Sequence, residues 1–198
     1  AGTRYVAPNG TDEVNNCTVL EYGPCATVQH AVGQAVDGDA LLVAEGVYSD
    51  VHTVGGGAQM VYLDKSLTLR GGYVSGVWDT SDPVFHPTVL DAGGQGRVIY
   101  ATGSIAPTVE GFHLRNGAVD GGDGAGACFS VGVEPTVRLN LIYNNTASGA
   151  GSDGGGIYYG SAGSPLMERN TIYGNAANSG AGIYLEGGNA SLWNNVLY

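Results

Sequence analysis

The first candidate site consists of aspartates in two glycine-rich stretches, whose carboxylates could bind a cation. Residues 117–124 and 148–154 carry Asp120, Asp123 and Asp153. If both stretches leave the fold at one corner, their carboxylates could converge on Ca²⁺, which prefers oxygen ligands. The alternative, which we favour, is that glycine and aspartate make solvated turns. The spacing differs from the Gly-Gly-x-Gly-x-Asp repeat of calcium-binding β-rolls, and no other cofactor is expected.

Aromatic residues at equivalent positions form a second candidate site. Tyr143, Tyr173 and Tyr198 each follow an aliphatic residue in matching segments. On adjacent strands they would form a column, and tyrosine rings can stack against sugar rings. A column of outward tyrosines also arises from ordinary cross-strand packing. Carbohydrate is therefore a candidate partner beside a purely structural interpretation.

The three cysteines divide into a close pair and a distant single residue. Cys17 and Cys25 flank a short turn at residues 21–24, whereas Cys128 lies in a strand-like run. We interpret the pair as a local disulfide, which implies an extracellular or cell-surface location. The alternative is half of a metal site, but no Cys or His with ligand spacing completes it. Cys128 is expected to be a small buried hydrophobe.

Other polar motifs carry less information. The four histidines are scattered without a metal-binding spacing, and no pair of acids marks the cleft of a glycosidase. Four asparagines begin Asn-x-Ser/Thr sequences that are acceptors for glycosylation, although such matches arise by chance in an asparagine-rich chain. These four are Asn9, Asn16, Asn144 and Asn189.

Charge and hydropathy exclude several classes of partner. The 198 residues carry seven basic and eighteen acidic side chains, a formal net charge of −11. Such a chain repels nucleic acid, anionic lipid and, without a bridging cation, acidic polysaccharide. The longest apolar run, residues 40–44, is too short to insert into a membrane. The first residues show no signal region, so we expect any targeting segment to have been removed or not included.

The elements that position these residues come from a repeat in the second half of the chain. Four matching segments begin at Pro107, Pro135, Pro165 and Ala190, at intervals of 28, 30 and 25 residues. Stacked parallel strands would place two aliphatic columns inside the fold. The first column is Val109, Val137, Met167 and Leu192, and the second is Leu114, Ile142, Ile172 and Leu197.

Further columns of the repeat predict the outer face and a corner. Glu110, Arg138, Glu168 and Trp193 would lie outside at roughly 4.8 Å intervals. Asn140, Asn170 and Asn195 would form a ladder at a tight corner, because asparagine tolerates left-handed backbone and can bond along a stack. Upstream of the later segments stand matched strands at residues 126–129, 156–159 and 182–185. Each unit therefore holds at least two short strands, and a third is expected.

The N-terminal part predicts a cap followed by the first turns. Val28, Ala31, Val32, Ala35 and Val36 form a helical stripe that ends at Asp37-Gly38. We expect one domain over residues 1–198, with a cap at 1–39 and strand-bearing turns at 40–198. Residues 71–96 interrupt the pattern and predict a long loop that holds Trp78. Repeats of this length without internal helices predict an all-β right-handed parallel β-helix.

A family resemblance rests on several segments. Residues 5–10, Cys17, residues 24–29 and residues 37–48, with the Gly-x-Gly-Ile-Tyr and Asn-x-Ile-Tyr-x-Asn repeats, resemble bacterial right-handed β-helix surface proteins. That group belongs to the pectate-lyase-like superfamily and includes relatives of chlamydial polymorphic outer-membrane proteins. The resemblance implies the fold and a surface location. It does not imply an activity, since one fold hosts many functions.

Relatives with this fold include lyases with an Arg or Lys base beside calcium-binding carboxylates, and hydrolases with an aspartate cluster. Neither motif can be carried over to this sequence, so we assign no catalytic residue. We expect a secreted or cell-surface structural protein that acts as an adhesin, spacer or filament subunit. The alternative is a polysaccharide lyase or hydrolase, or a carbohydrate-binding module. A lateral groove with two carboxylates and an Arg or a cation would favour the enzyme.

The repeat is still in progress at residue 198. A last strand without a neighbour would expose Leu197 and unpaired backbone groups, and solenoids normally cover such an end. We therefore expect further sequence or the end of a neighbouring molecule to cover it, and the second arrangement would produce self-association.

Overall fold

The computed structural model describes residues 1–18, 23–160 and 163–198. Residues 21 and 22 of the turn expected between the paired cysteines lie outside the described residues. The first elements are β1 (Thr3–Val6), α1 (Val28–Gln34), β2 (Ala40–Ala44), β3 (Gly46–Tyr48), β4 (His52–Val54), β5 (Gly57–Leu63), β6 (Thr68–Tyr73) and β7 (Thr88–Asp91). Then follow β8 (Arg97–Ala101), β9 (Thr108–Glu110), β10 (Phe112–Arg115), β11 (Ala118–Asp120), β12 (Ala127–Phe129), β13 (Thr136–Arg138) and β14 (Leu141–Tyr143). The last are β15 (Thr146–Ser148), β16 (Ile157–Tyr159), β17 (Leu166–Glu168), β18 (Thr171–Tyr173), β19 (Ile183–Leu185), β20 (Ser191–Trp193) and β21 (Val196–Leu197).

These strands form three long sheets and one small one. Sheet 1 has the order β1-β2-β6-β9-β13-β17-β20, sheet 2 the order β3-β7-β10-β14-β18-β21, and sheet 3 the order β4-β5-β8-β12-β16-β19. Strands β11 and β15 pair separately. All neighbours are parallel except β4 and β5. Because each turn adds one strand to each sheet, the chain is a parallel β-helix of about six turns, as the repeat predicted.

The inward columns have the predicted register. Val109, Val137 and Met167 are paired on neighbouring strands and fully buried. The second column pairs Leu114 with Ile142 and then Ile172, all buried as well. Strand alternation sends every second side chain into the core, so one aliphatic residue per turn covers its neighbour. In the last turn the same columns end in side chains that are half exposed, Leu192 at 45% and Leu197 at 50%.

The asparagine ladder is confirmed, but its backbone geometry was assigned to the wrong residue. Asn140 Nδ2 donates to Asn170 Oδ1 at 3.1 Å, and Asn170 Nδ2 donates to Asn195 Oδ1 at 3.0 Å. The left-handed residue is the one before each asparagine, because that residue turns the corner and the asparagine immediately precedes the next strand. These residues are Leu139, Arg169 and Asn194, with φ between 53° and 56°; Gly111, which precedes Phe112 at the same place in the first segment, has a φ of 75°.

A second ladder, absent from the sequence-based prediction, occupies the next corner. Asn145 Nδ2 donates to Asn175 Oδ1 at 3.0 Å and to the Leu114 carbonyl at 3.1 Å. Asn145 Oδ1 accepts the N–H of Gly117 at 2.8 Å. Both corners of sheet 2 are therefore held by side-chain amides that pair with backbone groups the strands leave free.

The cap is a short helix with an incomplete apolar stripe. Helix α1 begins after Thr27, whose hydroxyl accepts the His30 N–H, and buries Val28, Ala31 and Val32. The helix ends at Gln34, so Val36 lies beyond it and is 60% exposed, contrary to the predicted stripe. Strand β1 pairs with β2 in sheet 1, so the stack includes a strand that precedes the helix. No helix among the described residues is long and apolar enough to cross a membrane.

The predicted loop at residues 71–96 is wrong in extent. Strand β6 continues to Tyr73 and β7 occupies Thr88–Asp91, so the connection is shorter. Trp78 lies in it and packs against Tyr5 and Tyr73, with ring centroids 5.0 and 6.2 Å away. The glycines and prolines of this stretch hid the end of β6 and the whole of β7.

Candidate functional site

An interrupted column of tyrosines marks the outer face of sheet 3. The outward positions of β5, β8, β12, β16 and β19 are paired in register across the sheet. Four of the five are tyrosines, and the middle one is a cysteine. In order they are Tyr62, Tyr100, Cys128, Tyr158 and Tyr184. Tyr62 and Tyr100 stack with centroids 6.0 Å apart, and Tyr158 and Tyr184 stack at 5.7 Å.

The short side chain of Cys128 opens a cleft in this column. Tyr100 and Tyr158 stand two strands apart, which places their backbones roughly 9.6 Å from each other. The cleft has a volume of about 240 Å³. Its lining includes Arg97, Tyr100, Cys128, Ser130, Tyr158 and Glu186. Below we call it the Cys128 cleft.

Arg97 is fixed on one side of the Cys128 cleft. Its Nε donates to the backbone carbonyl of Asp123 at 2.8 Å. Its Cζ lies 5.4 Å from the centroid of the Tyr100 ring, within the range of a cation–π contact. A Cβ on Gly122 would come within 2.7 Å of Arg97 Nη2, so the absent side chain at Gly122 leaves room for the guanidinium group.

Hydrogen-bond acceptors lie on the same cleft. The Tyr158 hydroxyl donates to Glu186 Oε2 at 2.7 Å. Burial, and then the bond to the Glu186 carboxylate, raise the pKa of Tyr158 above its usual value, so its hydroxyl stays protonated. Asp123 Oδ1 accepts the N–H of Asp153 at 2.8 Å. The cleft therefore combines a cationic donor with two carboxylates.

Two small side chains form the base of the cleft. Cys128 is 5% exposed and has no disulfide partner, as predicted. Burial raises the pKa of its thiol to about 11, so it is not a nucleophilic thiolate near neutral pH. The Ser130 hydroxyl is buried and makes no hydrogen bond to any described residue. A buried hydroxyl without a partner is uncommon and is a ready contact for a polar ligand.

Comparisons with known proteins add a likeness in structure. No protein-family model matches the chain, and no curated protein matches its sequence. A similar solved structure is the crystal structure of pectate lyase Pel9A, with a TM-score of 0.48 and 16% sequence identity. The match covers 91% of this chain and 55% of that structure, so the chain spans about half of its length. The description "pectate lyase" belongs to that protein.

The tyrosines predicted from the repeat form a closed stack. Tyr143 and Tyr173 lie 5.0 Å apart with planes within 1°, and Tyr173 and Tyr198 lie 5.2 Å apart. Arg115 Nη1 donates to the Tyr143 hydroxyl at 3.2 Å. Adjacent rings therefore cover one another's faces, as expected if the column arises from ordinary cross-strand packing. A sugar could reach only the edges of Tyr173, although Tyr198 at the end of the stack is 79% exposed, whereas the Cys128 cleft separates two rings.

The predicted calcium ligands are near neighbours but do not converge. Strands β11 and β15 pair, so the two glycine-rich stretches do leave the stack together. Asp123 and Asp153 meet through a backbone bond, whereas Asp120 Oδ1 lies 3.5 Å from the Ser148 hydroxyl. Within the described ranges, a single group of three metal-ligand atoms lies within 4.8 Å, and it contains none of these aspartates.

That group is Cys17, Cys25 and His30. Cys17 and Cys25 form the predicted disulfide, with both residues fully buried. His30 has no ligand spacing to the two cysteines along the chain, yet the turn into α1 brings its ring beside the two sulfurs. In the disulfide these sulfurs are not available as thiolates, so the pair is a structural bond here.

All four candidate glycosylation sites are exposed. Asn9, Asn16, Asn144 and Asn189 all lie on the surface. Asn16 Oδ1 accepts from the Thr18 hydroxyl at 2.7 Å. Their modification stays a prediction.

Proposed function

We propose that the protein is an extracellular or cell-surface β-helix that binds carbohydrate in the Cys128 cleft and serves as an adhesin. The observation that carries this proposal is the interruption of the tyrosine column by Cys128. Each of the four rings has a tyrosine on one adjacent strand, but Tyr100 and Tyr158 are separated by Cys128, whose side chain is too short to fill the space between them.

The chemistry of the cleft suits a sugar. Pyranose rings pack against tyrosine faces, while their hydroxyl groups donate to carboxylates and accept from cationic donors. Tyr100 and Tyr158 supply the rings, Arg97 the donors and Glu186 an acceptor. Because these residues stand on or beside paired strands, the site is already formed without a ligand, which lowers the entropic cost of binding.

A different part of the molecule supports the proposed location. A disulfide between Cys17 and Cys25 fits an oxidising compartment. The chain also carries an excess of acidic side chains, a property that favours solubility and disfavours binding to nucleic acid. A rigid stack of turns on a cell surface would hold the cleft at a fixed distance from it, which is the spacer role.

A glycan array tests the binding function. We expect the wild-type chain to bind a defined subset of glycans, and Cys128→Tyr to abolish that binding because the added ring fills the cleft. Val47→Tyr is the matched control, since it adds the same ring at a 57% exposed position on sheet 2. Loss of binding in both variants, or no binding by the wild type, would contradict the proposal.

A polysaccharide-active enzyme is the second candidate, because the cleft brings two carboxylates and an arginine together. Glu186 could act on a bound chain as an acid or base, and Arg97 could neutralise developing charge. The assay incubates the protein with polysaccharides and measures new reducing ends or unsaturated products. Cleavage that disappears in Glu186→Gln but persists in Glu13→Gln, an exposed acid elsewhere, would replace the adhesin by an enzyme.

A further inference from the structure

The Cys128 cleft contains the one basic side chain that lacks an acidic partner among the described residues. Six of the seven Lys and Arg side chains lie within 4.0 Å of a carboxylate oxygen. Arg97 does not. Its Nε bonds to a neutral backbone carbonyl, and its guanidinium group lies over the neutral ring of Tyr100. In a chain with a net charge of −11, one uncompensated cation in the described part is unusual.

From this arrangement we infer that the glycan bound in the Cys128 cleft carries a single carboxylate, which pairs with Arg97; the inference rests on the proposed carbohydrate-binding function. A guanidinium group presents paired N–H donors in a plane that matches a carboxylate. The Arg97 Nε is already used by the Asp123 carbonyl, and the Arg97 side chain also interacts with the neutral Cys128 thiol, so the ligand would bind the remaining terminal N–H groups. The cation–π contact with Tyr100 fixes the plane of the group before the ligand arrives.

The buried hydroxyl of Ser130 supports the same assignment. Its oxygen has no hydrogen-bond partner among the described residues, although Ser130 lines the cleft with Arg97. A hydroxyl can donate to a carboxylate oxygen, and burial strengthens a bond to a charged acceptor. Ser130 and Arg97 together would meet an anionic group from two directions.

The opposite side of the cleft limits the ligand to one acidic group. Glu186 holds the Tyr158 hydroxyl, and Asp123 also lines the cleft. These carboxylates would accept bonds from neutral hydroxyls and repel a second anion. The net charge of the whole chain repels a polyanion in the same way. The ligand is therefore a largely neutral oligosaccharide with one carboxylated sugar at its end, and a polyuronide is excluded.

Matched pairs of glycans test this inference. Each pair on the array contains a neutral oligosaccharide and the same oligosaccharide with one carboxylated terminal sugar, and lactose with sialyllactose is the pair titrated in solution. We expect the acidic member of the bound pair to bind at least about tenfold more tightly, the lower end of what a hydrogen bond to a charged group contributes. The preference should weaken as salt is raised, and polygalacturonate should not bind.

Arg97→Gln should remove the preference, so that the acidic and the neutral member of a pair bind with the same affinity. Arg70→Gln is the control, because it removes one positive charge at a residue that is already paired with Glu110. Circular dichroism and thermal unfolding show whether each variant is folded, and Arg97→Lys provides a second variant that keeps the charge but loses the planar fork.

The outcomes separate the two proposals. Equal binding of neutral and acidic partners, lost in Cys128→Tyr, would overturn the single-carboxylate inference and leave carbohydrate binding intact. A preference that survives in folded Arg97→Gln would overturn it as well, as would tight binding of polygalacturonate. An array without any bound glycan would overturn both.

Discussion

A buried carboxylate holds the N-terminal residues onto the stack. The Asp39 side chain is 2% exposed and pairs with Arg4, whose Nη2 lies 2.9 Å from Asp39 Oδ2. Asp39 also accepts the N–H groups of Gly2 at 2.5 Å and Val36 at 3.1 Å. Burial by itself would raise the pKa of Asp39, but the bonds from Gly2, Val36 and Arg4 outweigh it and lower the pKa. One side chain thus joins β1, the end of the helical cap and β2.

We expect Asp39→Asn to lower the free energy of unfolding by about 3 kcal/mol, because it leaves Arg4 buried without its anion. Since the folded pKa lies below the unfolded value of about 3.9, the carboxylate stabilises the fold above that pH. This contribution is lost as the pH falls through the folded pKa. Urea unfolding at neutral pH and at acidic pH measures both effects.

The difference between wild type and Asp39→Asn should therefore shrink in acid. Glu13→Gln is the control, because Glu13 is exposed on the same segment. A difference that stays constant from neutral to strongly acidic pH would mean that the charge of Asp39 does not contribute.

At the scale of the element, each short strand depends on the strands above and below it. Strands of two or three residues form most of the second half of the chain, and such segments have little intrinsic stability. Register is held instead by the buried columns and by the two asparagine ladders at the corners. A shift by one residue would exchange the inner and outer faces.

The strand β18 offers a matched test of this register. Ile172 is 1% exposed and pairs with Ile142, whereas its neighbour Thr171 lies on the outer face. We expect Ile172→Asp to cost several kcal/mol, roughly the upper part of the range for burying an unpaired polar or charged group. Thr171→Asp introduces the same charge one residue earlier and should cost much less.

Thermal unfolding of both variants measures the contrast. If Ile172→Asp melted like the wild-type protein, or if the two variants were equally destabilised, the alternation of β18 would be wrong.

At the scale of the whole molecule, the last turn presents apolar side chains to solvent. Leu192, Trp193 and Leu197 are 45%, 62% and 50% exposed. Their equivalents in the preceding turns are buried or lie over another strand. Self-association through this face stays a prediction, together with coverage by further sequence.

We expect the 198-residue polypeptide to associate in dilute buffer, because strand edges and exposed apolar columns favour pairing with another chain. The double substitution Leu192→Lys and Leu197→Lys should reduce the association, and Val47→Lys on the side of the stack should not. Light scattering over a range of concentrations measures the mass. A monomer throughout that range would contradict the prediction.

Prediction from the sequence succeeded where one residue type recurs once per turn. The columns of Val109 and Leu114, the asparagine ladder and the disulfide were all predicted. The prediction was wrong where glycine and proline concealed a strand, as they did for β7, which begins at Thr88. It was also wrong where a helical pattern continued to Val36, beyond the end of the helix. The second ladder at Asn145 was missed, although Asn175 stands at the same place in the next segment.

The sequence by itself determined the fold, because identical turns must stack and their repetition is visible as columns of residues. The Cys128 cleft was decided only by the tertiary structure. Arg97, Cys128 and Glu186 come from three different turns, and unequal connections separate them in the chain. Cys128 resembles a small core residue until the pairing of β12 places it on the outer face between Tyr100 and Tyr158. What a gap in a column can bind depends on the side chains of neighbouring turns. These side chains lie close together only once the chain has coiled.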